Sequence, residues 1–261
     1  MDLLEAWAEW SPESPPYLLN ADRDLLIGPQ SGNEVVVYPG WEQFIQDPNF
    51  GAPGDRRLHL GLLPQPFLGD MRNASIYLLL LNPGLAPMDY FGEHMVPGYY
   101  QAILNNIRQL TGSEKPTFLF LEPSFAWHSG FTWWNRKLRK LIHAMAVARN
   151  VHFAEARKRL SNELAAIEFF PYHSAEFSVS HRVLERLPSV MLARTFVHKY
   201  ALPRVQQKKA LLIVLRKGSA WDLPSDPGIV IYKGAESRGA HLTPNSRGGM
   251  AILRHLDMTL G

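Results

Sequence analysis

Four continuous apolar runs of strand length mark the chain from about Ser75 onward: SIYLLLL (75–81), PTFLFLE (116–122), AAIEFF (165–170) and ALLIVL (210–215). A shorter run, IVIY (229–232), follows them. Apolar residues fill successive rather than alternate positions, the pattern of strands covered on both faces of a sheet. Between the runs the period becomes helical. YYQAILNNIRQL (99–110) sets Ile103, Ile107 and Leu110 at spacings of four and three. TWWNRKLRKLIHAMAVA (132–148) puts Trp134, Leu138, Leu141 and Met145 on one face and basic residues on the other. HFAEARKRLSNEL (152–164) and VSHRVLERL (179–187) predict two more helices, and GGMAILRHLDMTL (248–260) predicts one that closes over the sheet. Strands alternating with helices predict an α/β fold, a three-layer sandwich with a mainly parallel central sheet flanked by helices. The first part of the chain lacks this regularity. It is rich in Pro, Gly and Asp, with short pieces such as EVVVY (34–38) and WEQFIQ (41–46). Residues 1–60 are therefore expected to form an irregular acidic extension packed on a core domain, 61–261.

Composition narrows the class. Of 261 residues 46% are hydrophobic and 20% charged, ordinary values for a globular protein. No apolar run approaches the roughly 18 residues of a membrane span, so no membrane partner is expected. The acidic start MDLLEAWAEW lacks the basic and apolar parts of a signal peptide. The chain has no cysteine, which excludes disulfides, a thiol nucleophile, an iron–sulfur cluster and a cysteine zinc site. A cytoplasmic location is the expectation. EHMVPGYYQ (93–101) and the scattered histidines match no metal-ligand spacing, so neither a metal nor another cofactor is expected.

Charge adds a partner. The net +3 conceals a balance of −7 over residues 1–60, from three basic and ten acidic side chains, and +10 over the rest. Residues 131–160 hold eight Lys or Arg against Glu155 alone, and 189–221 hold seven with no acid. Such stretches suit either a polyanion or a solvated helix face.

In open α/β sheets ligands bind beyond the carboxyl ends of the strands, and the polar residues of interest follow the strand runs there. LLLL (78–81) stops on Asn82, with Pro83 ending the ladder and Gly84 permitting a sharp turn. ALLIVL leads to RKGSAW (216–221), and IVIY leads to KGAESRGAHLTPNSRGG (233–249). The latter surrounds His241 with hydroxyls, a cation and expected helix N-terminal amides, groups suited to phosphate.

In this order the motifs resemble the uracil-DNA glycosylase superfamily, over roughly Leu60 to the C-terminus. Asn82, Pro83, Gly84 and Leu85 match the N-P-G-L of its G/T-mismatch branch, the motif that positions the hydrolytic water. His241, Leu242, Thr243, Pro244, Asn245 and Ser246 loosely match its H-P-S-P-L-S-like loop. Leu242 stands where many members have Pro, and Asn245 where a wedge Leu often enters the duplex. Leu242, Asn245 and Arg247 are the alternatives for the wedge. After AAIEFF, Tyr172, His173 and Ser174 replace the Asn with which uracil-specific members read the base.

The resemblance implies a monofunctional DNA glycosylase acting as a monomer on double-stranded DNA. Asn82 would place the water. His241, with His173 as competitor, would donate to the departing base. Gly84, Tyr90, Phe91, Trp127, Tyr172, His173 and Ser174 would form the base pocket. Lys217, Ser219, Leu242, Thr243, Asn245 and Arg247 would contact DNA. The pattern also resembles an antiphage branch that includes a glycosylase for α-glucosyl-hydroxymethylcytosine in phage DNA. The alternatives are a repair glycosylase for uracil or another damaged base, a non-catalytic DNA-binding module, and a small-molecule nucleotide enzyme.

Overall fold

The computed structural model describes residues 2–29, 31–110 and 117–258. Short strands β1 (Val35–Val36) and β2 (Leu58–His59) pair in parallel. The main sheet joins β3 (Phe67–Gly69), β4 (Ile76–Leu79), β5 (Leu164–Ile167), β6 (Leu211–Val214) and β7 (Ile229–Ile231) in the order β3-β5-β4-β6-β7. The β4–β5, β4–β6 and β6–β7 pairings are parallel and in register, Ile76 facing both Leu164 and Leu211. Every residue of β4, β5 and β6 is buried. That accounts for their unbroken hydrophobicity, because both faces of a central strand are withdrawn from water. The fold is α/β with a mostly parallel sheet and flanking helices.

The expected strand over 116–122 does not form. Pro116 lies outside the described residues, and Leu119–Leu121 make a 3-10 turn. The Phe118 amide donates to Ser161 Oγ at 2.9 Å, and the Phe120 ring stacks on His128 at 5.0 Å. The run is apolar because it is buried, and its backbone partner is a hydroxyl rather than a neighbouring strand.

The described residues divide into two compact units. One takes its residues from 1–67, 81–110 and 168–196, the other from 68–80, 111–167 and 197–261. In this division residues 1–60 fall within the first unit, together with 81–110 and 168–196. Helix Leu3–Ala8, opened by an Asp2/Glu5 capping box, buries Leu3, Leu4 and Trp7 and packs on helices Tyr99–Ile107 and Pro188–Phe196. Phe44 stacks on Tyr90, and Asp22 accepts from the Ser189 amide and the Tyr172 hydroxyl.

The second unit holds the sheet. Helix Arg247–His255 packs on β6 and β7, and Leu202–Gln206 packs on β6. Helix Ser129–Arg149 buries Trp134, Leu138, Leu141 and Met145 as its spacing predicts, and it packs on Phe153–Glu163. Among the described residues no helix is long and apolar enough to cross a membrane.

Candidate functional site

The candidate segments after β4, β5, β6 and β7 leave the carboxyl ends of those strands, whereas Trp127 follows the 3-10 turns Leu119–Leu121 and Pro123–Phe125. Asn82 stands three residues after β4, and the loop it opens belongs to the first unit, where nearly every residue is tied down. The Leu81 carbonyl accepts from the Phe170 amide at 2.8 Å. Asn82 Nδ2 donates to Ser174 Oγ at 3.1 Å and lies 3.4 Å from the Ser174 carbonyl. The Gly84 carbonyl meets His173 Nδ1 at 2.9 Å. Leu85 packs on the cluster of Phe44, Leu62 and Tyr90. The Ala86 amide donates to Asp89 Oδ2 at 2.6 Å, capping helix Pro87–Met95. Gly84 has φ +75°, and a Cβ there would meet no atom within 4 Å. Glycine is required for the backbone turn, not for lack of room. With its amide nitrogen held, half-buried Asn82 offers Oδ1 as an acceptor.

His173 is not a free donor or a base reader. It is 1% exposed, with Nδ1 on the Gly84 carbonyl and Nε2 3.1 Å from the Leu63 carbonyl. Carbonyls only accept, so both contacts are hydrogen bonds only when both ring nitrogens carry protons. His173 therefore joins the loops at 63 and 84. The Leu63 amide in turn donates to the carboxylate of Glu93, which burial holds well above the ordinary carboxylate range.

Two expected base-stacking rings are core residues instead. Tyr90, 0% exposed, lies on a helix rather than a loop and stacks on Phe44 with centroids 4.2 Å apart. Tyr172, 1% exposed, donates to Asp22 at 2.5 Å and accepts from the Leu19 amide. Large rings fill cores more often than pockets because their area dominates burial. Phe91 is half-buried, edge-on to Trp41. Ser174 is buried and serves Asn82.

Beside this loop runs a charged network. Arg57 binds Asp55 and Asp47, and its hydrogen bond holds Asp55 down at about 2. Burial lowers buried His59 to about 4, so it is neutral near pH 7, with Nδ1 3.3 Å from the Tyr90 hydroxyl.

The second unit carries the other candidates. Trp127 is half-buried against His128. Lys217 and Ser219 are exposed around the 3-10 turn Gly218–Trp221. His241, Asn245 and Arg247 are exposed, and Thr243 is half-buried. Arg247 pairs with Glu236 at 3.1 Å, which offsets its charge. Leu242 is 0% exposed, its side chain within the reach of a Cβ at Gly248, so it fills the interior and cannot act as a wedge. The helix N-terminal amides expected for phosphate are likewise occupied. The Gly248 amide donates to the Tyr232 hydroxyl at 3.1 Å and the Gly249 amide to Ser246 Oγ at 3.0 Å.

Sequence reasoning missed the groups that shape this loop. A helix, Gly234–Gly239, precedes His241. Arg216 binds the Ser237 and Arg238 carbonyls at 2.5 and 3.0 Å, and buried Lys137 binds the Gly239 carbonyl. Two cations thus satisfy the carbonyl end of the helix, where its dipole favours them. Burial, with Arg136 and Arg216 nearby, pulls the Lys137 ammonium below its usual range. Lys137 is therefore withdrawn from the basic surface read from the sequence. Its spacing, three after Trp134 and four before Leu141 on the apolar face, was the available signal. The Tyr232 hydroxyl donates to the His241 carbonyl at 2.7 Å, and no sequence pattern marked it.

Taken residue by residue, the first unit offers a fixed acceptor at Asn82 and the second an exposed polar loop around His241. Among the described residues no cluster of three His, Asp or Glu is placed to hold a metal ion. Comparison with protein families, with curated proteins and with solved structures finds no match to this chain.

Proposed function

We propose that the chain is a DNA glycosylase built on the uracil-DNA glycosylase type of three-layer sandwich, acting on a modified base in double-stranded phage DNA. The substrate proposed is α-glucosyl-hydroxymethylcytosine. One observation carries the reading: the N-P-G-L loop presents Asn82 Oδ1 from a backbone fixed on both sides, with the amide nitrogen already committed to Ser174. A fixed acceptor suits the reaction. As the C1′–N bond breaks, its electron pair leaves on the base and the sugar nears an oxocarbenium ion. Water then bonds to C1′ and releases its proton, so it needs placement more than deprotonation. An amide oxygen that accepts from the water supplies that placement. His241, Lys217, Ser219 and Asn245 are exposed on the second unit.

An abasic-site assay tests this. Glucosylated phage DNA, unmodified DNA and a uracil duplex are incubated with wild type and Asn82→Ala, and alkali-labile breaks are scored. Breaks confined to glucosylated DNA are expected, reduced about a hundredfold in the variant, the scale of a misplaced reactant. Ser174→Ala should reduce them less, because the Ser174 carbonyl remains near Asn82. Breaks indifferent to Asn82→Ala would sink the assignment, and breaks in the uracil duplex would make the enzyme a repair glycosylase. A second reading, a DNA-binding module without chemistry, is favoured by the burial of Tyr90, Tyr172 and Leu242. It predicts DNA binding with no breaks on any of the three substrates.

A further inference from the structure

Helix Ser129–Arg149 carries a second feature, separate from the strand-end loops. Asn135, Arg139 and His143 follow one another at spacings of four, hence along one stripe of the helix. With Lys140 and Phe153 they line a surface cavity of about 580 Å³. That volume lies within the ~300–1,000 Å³ of small-ligand pockets. The helix has no acidic residue. Glu155, the acid nearest in sequence to Phe153, is held by Arg159 at 2.6 Å. The positive charge is thus uncompensated by any acid on its own helix. Phe153 leaves 37% of its surface exposed at the first turn of its helix, so its ring is accessible beside these cations.

We propose that this cavity holds one unstacked nucleotide of a single-stranded nucleic acid. The base stacks on Phe153, the Asn135 amide bonds its edge, and Arg139, Lys140 and the His143 ring take the flanking phosphates. Cations alone would serve a duplex, whose phosphates lie outside. A ring set among cations in a concavity adds a face that only an unstacked base can use. An anionic membrane would instead want several apolar side chains, whereas here a single ring stands among polar and basic residues.

Fluorescence anisotropy with a labelled oligothymidylate and a matched duplex tests the proposal on the full chain. Binding is read without base excision, so it stands apart from the glycosylase assignment. Phe153→Ala should weaken single-strand binding about tenfold and duplex binding less than twofold. Phe153→Leu should do the same, while Phe153→Trp retains affinity. Arg139→Ala with Lys140→Ala should lower the salt slope for single strands by about 1.4, at roughly 0.7 per phosphate contact. Phe50→Ala, which removes another exposed ring, should change nothing. Unchanged affinity in the Phe153 variants would overturn the proposal. So would an equal loss in Phe50→Ala, full retention by Phe153→Leu, or binding to anionic vesicles in place of oligonucleotide.

Discussion

At the scale of the residue, the first unit sets buried titratable groups close together, and their signs decide how the protein meets acid. His59 is lowered to about 4 from an ordinary 6.5. A depressed folded value means that the unfolded chain takes up the proton first, so its contribution to stability is complete above pH 6.5 and is lost as pH falls toward 4. The full shift corresponds to about 3 kcal/mol. Burial raises Glu93 and Asp22, which act in the opposite direction: their folded forms prefer the proton, so they add stability as pH falls through their raised values. The His59 part is isolated by difference. Denaturant unfolding between pH 7 and 4 should show wild type losing stability relative to His59→Leu by up to about 3 kcal/mol. A constant difference across that range would show that His59 does not titrate on unfolding. None of this was legible in the sequence, where His59 is one of ten histidines. Asn82 was legible, because a polar residue ending an apolar run stands out locally. Its partner Ser174, 92 residues away, was not.

At the scale of the element, the helix Arg247–His255 shows how a loop is locked by its own cap. Ser246 Oγ accepts from the Gly249 amide at 3.0 Å and donates to the Thr243 carbonyl at 2.8 Å. The carbonyl passes so close that a Cβ on Gly249 would stand 1.8 Å from its oxygen, against open space at Gly84. The two glycines therefore answer differently to alanine. Gly84→Ala meets only the left-handed backbone cost, about 1–2 kcal/mol. Gly249→Ala must displace backbone and should cost clearly more, which thermal unfolding of both variants measures. Equal losses would mean that the loop yields to the added methyl. Helices were well read wherever their apolar stripe had a period, as in 129–149 and 153–163. The helix 234–239 was missed because its six residues bury nothing and so carry no stripe.

At the scale of the whole molecule, charge and core assignment part company. The acidic first sixty residues read as an extension because their apolar residues have no regular period. Yet Trp7, Leu26 and Phe44 are buried with segments around 90 and 170. Removing residues 2–60 should therefore leave no folded remainder equivalent to the intact chain. Loss of the near-ultraviolet circular dichroism of the aromatic core is expected, with aggregation on size exclusion. A truncated chain with intact dichroism would show that 61–261 folds alone. Of the basic residues at 131–160, Lys137 points inward, Arg157 is half-buried and the others are exposed.

The sequence by itself determined the local matters: which apolar runs are buried, which stripes become helices, and where a strand gives way to asparagine, proline and glycine. These follow from solvation and backbone sterics acting over a few residues. The tertiary structure alone decided whether a run with no period is strand or turn, as at Leu119–Leu121, and which aromatic rings are core and which are surface. Burial and partner choice depend on residues tens to more than a hundred positions distant. Tyr172 illustrates this: it reads as the wall of a pocket until Asp22, 150 residues earlier, is found at its hydroxyl.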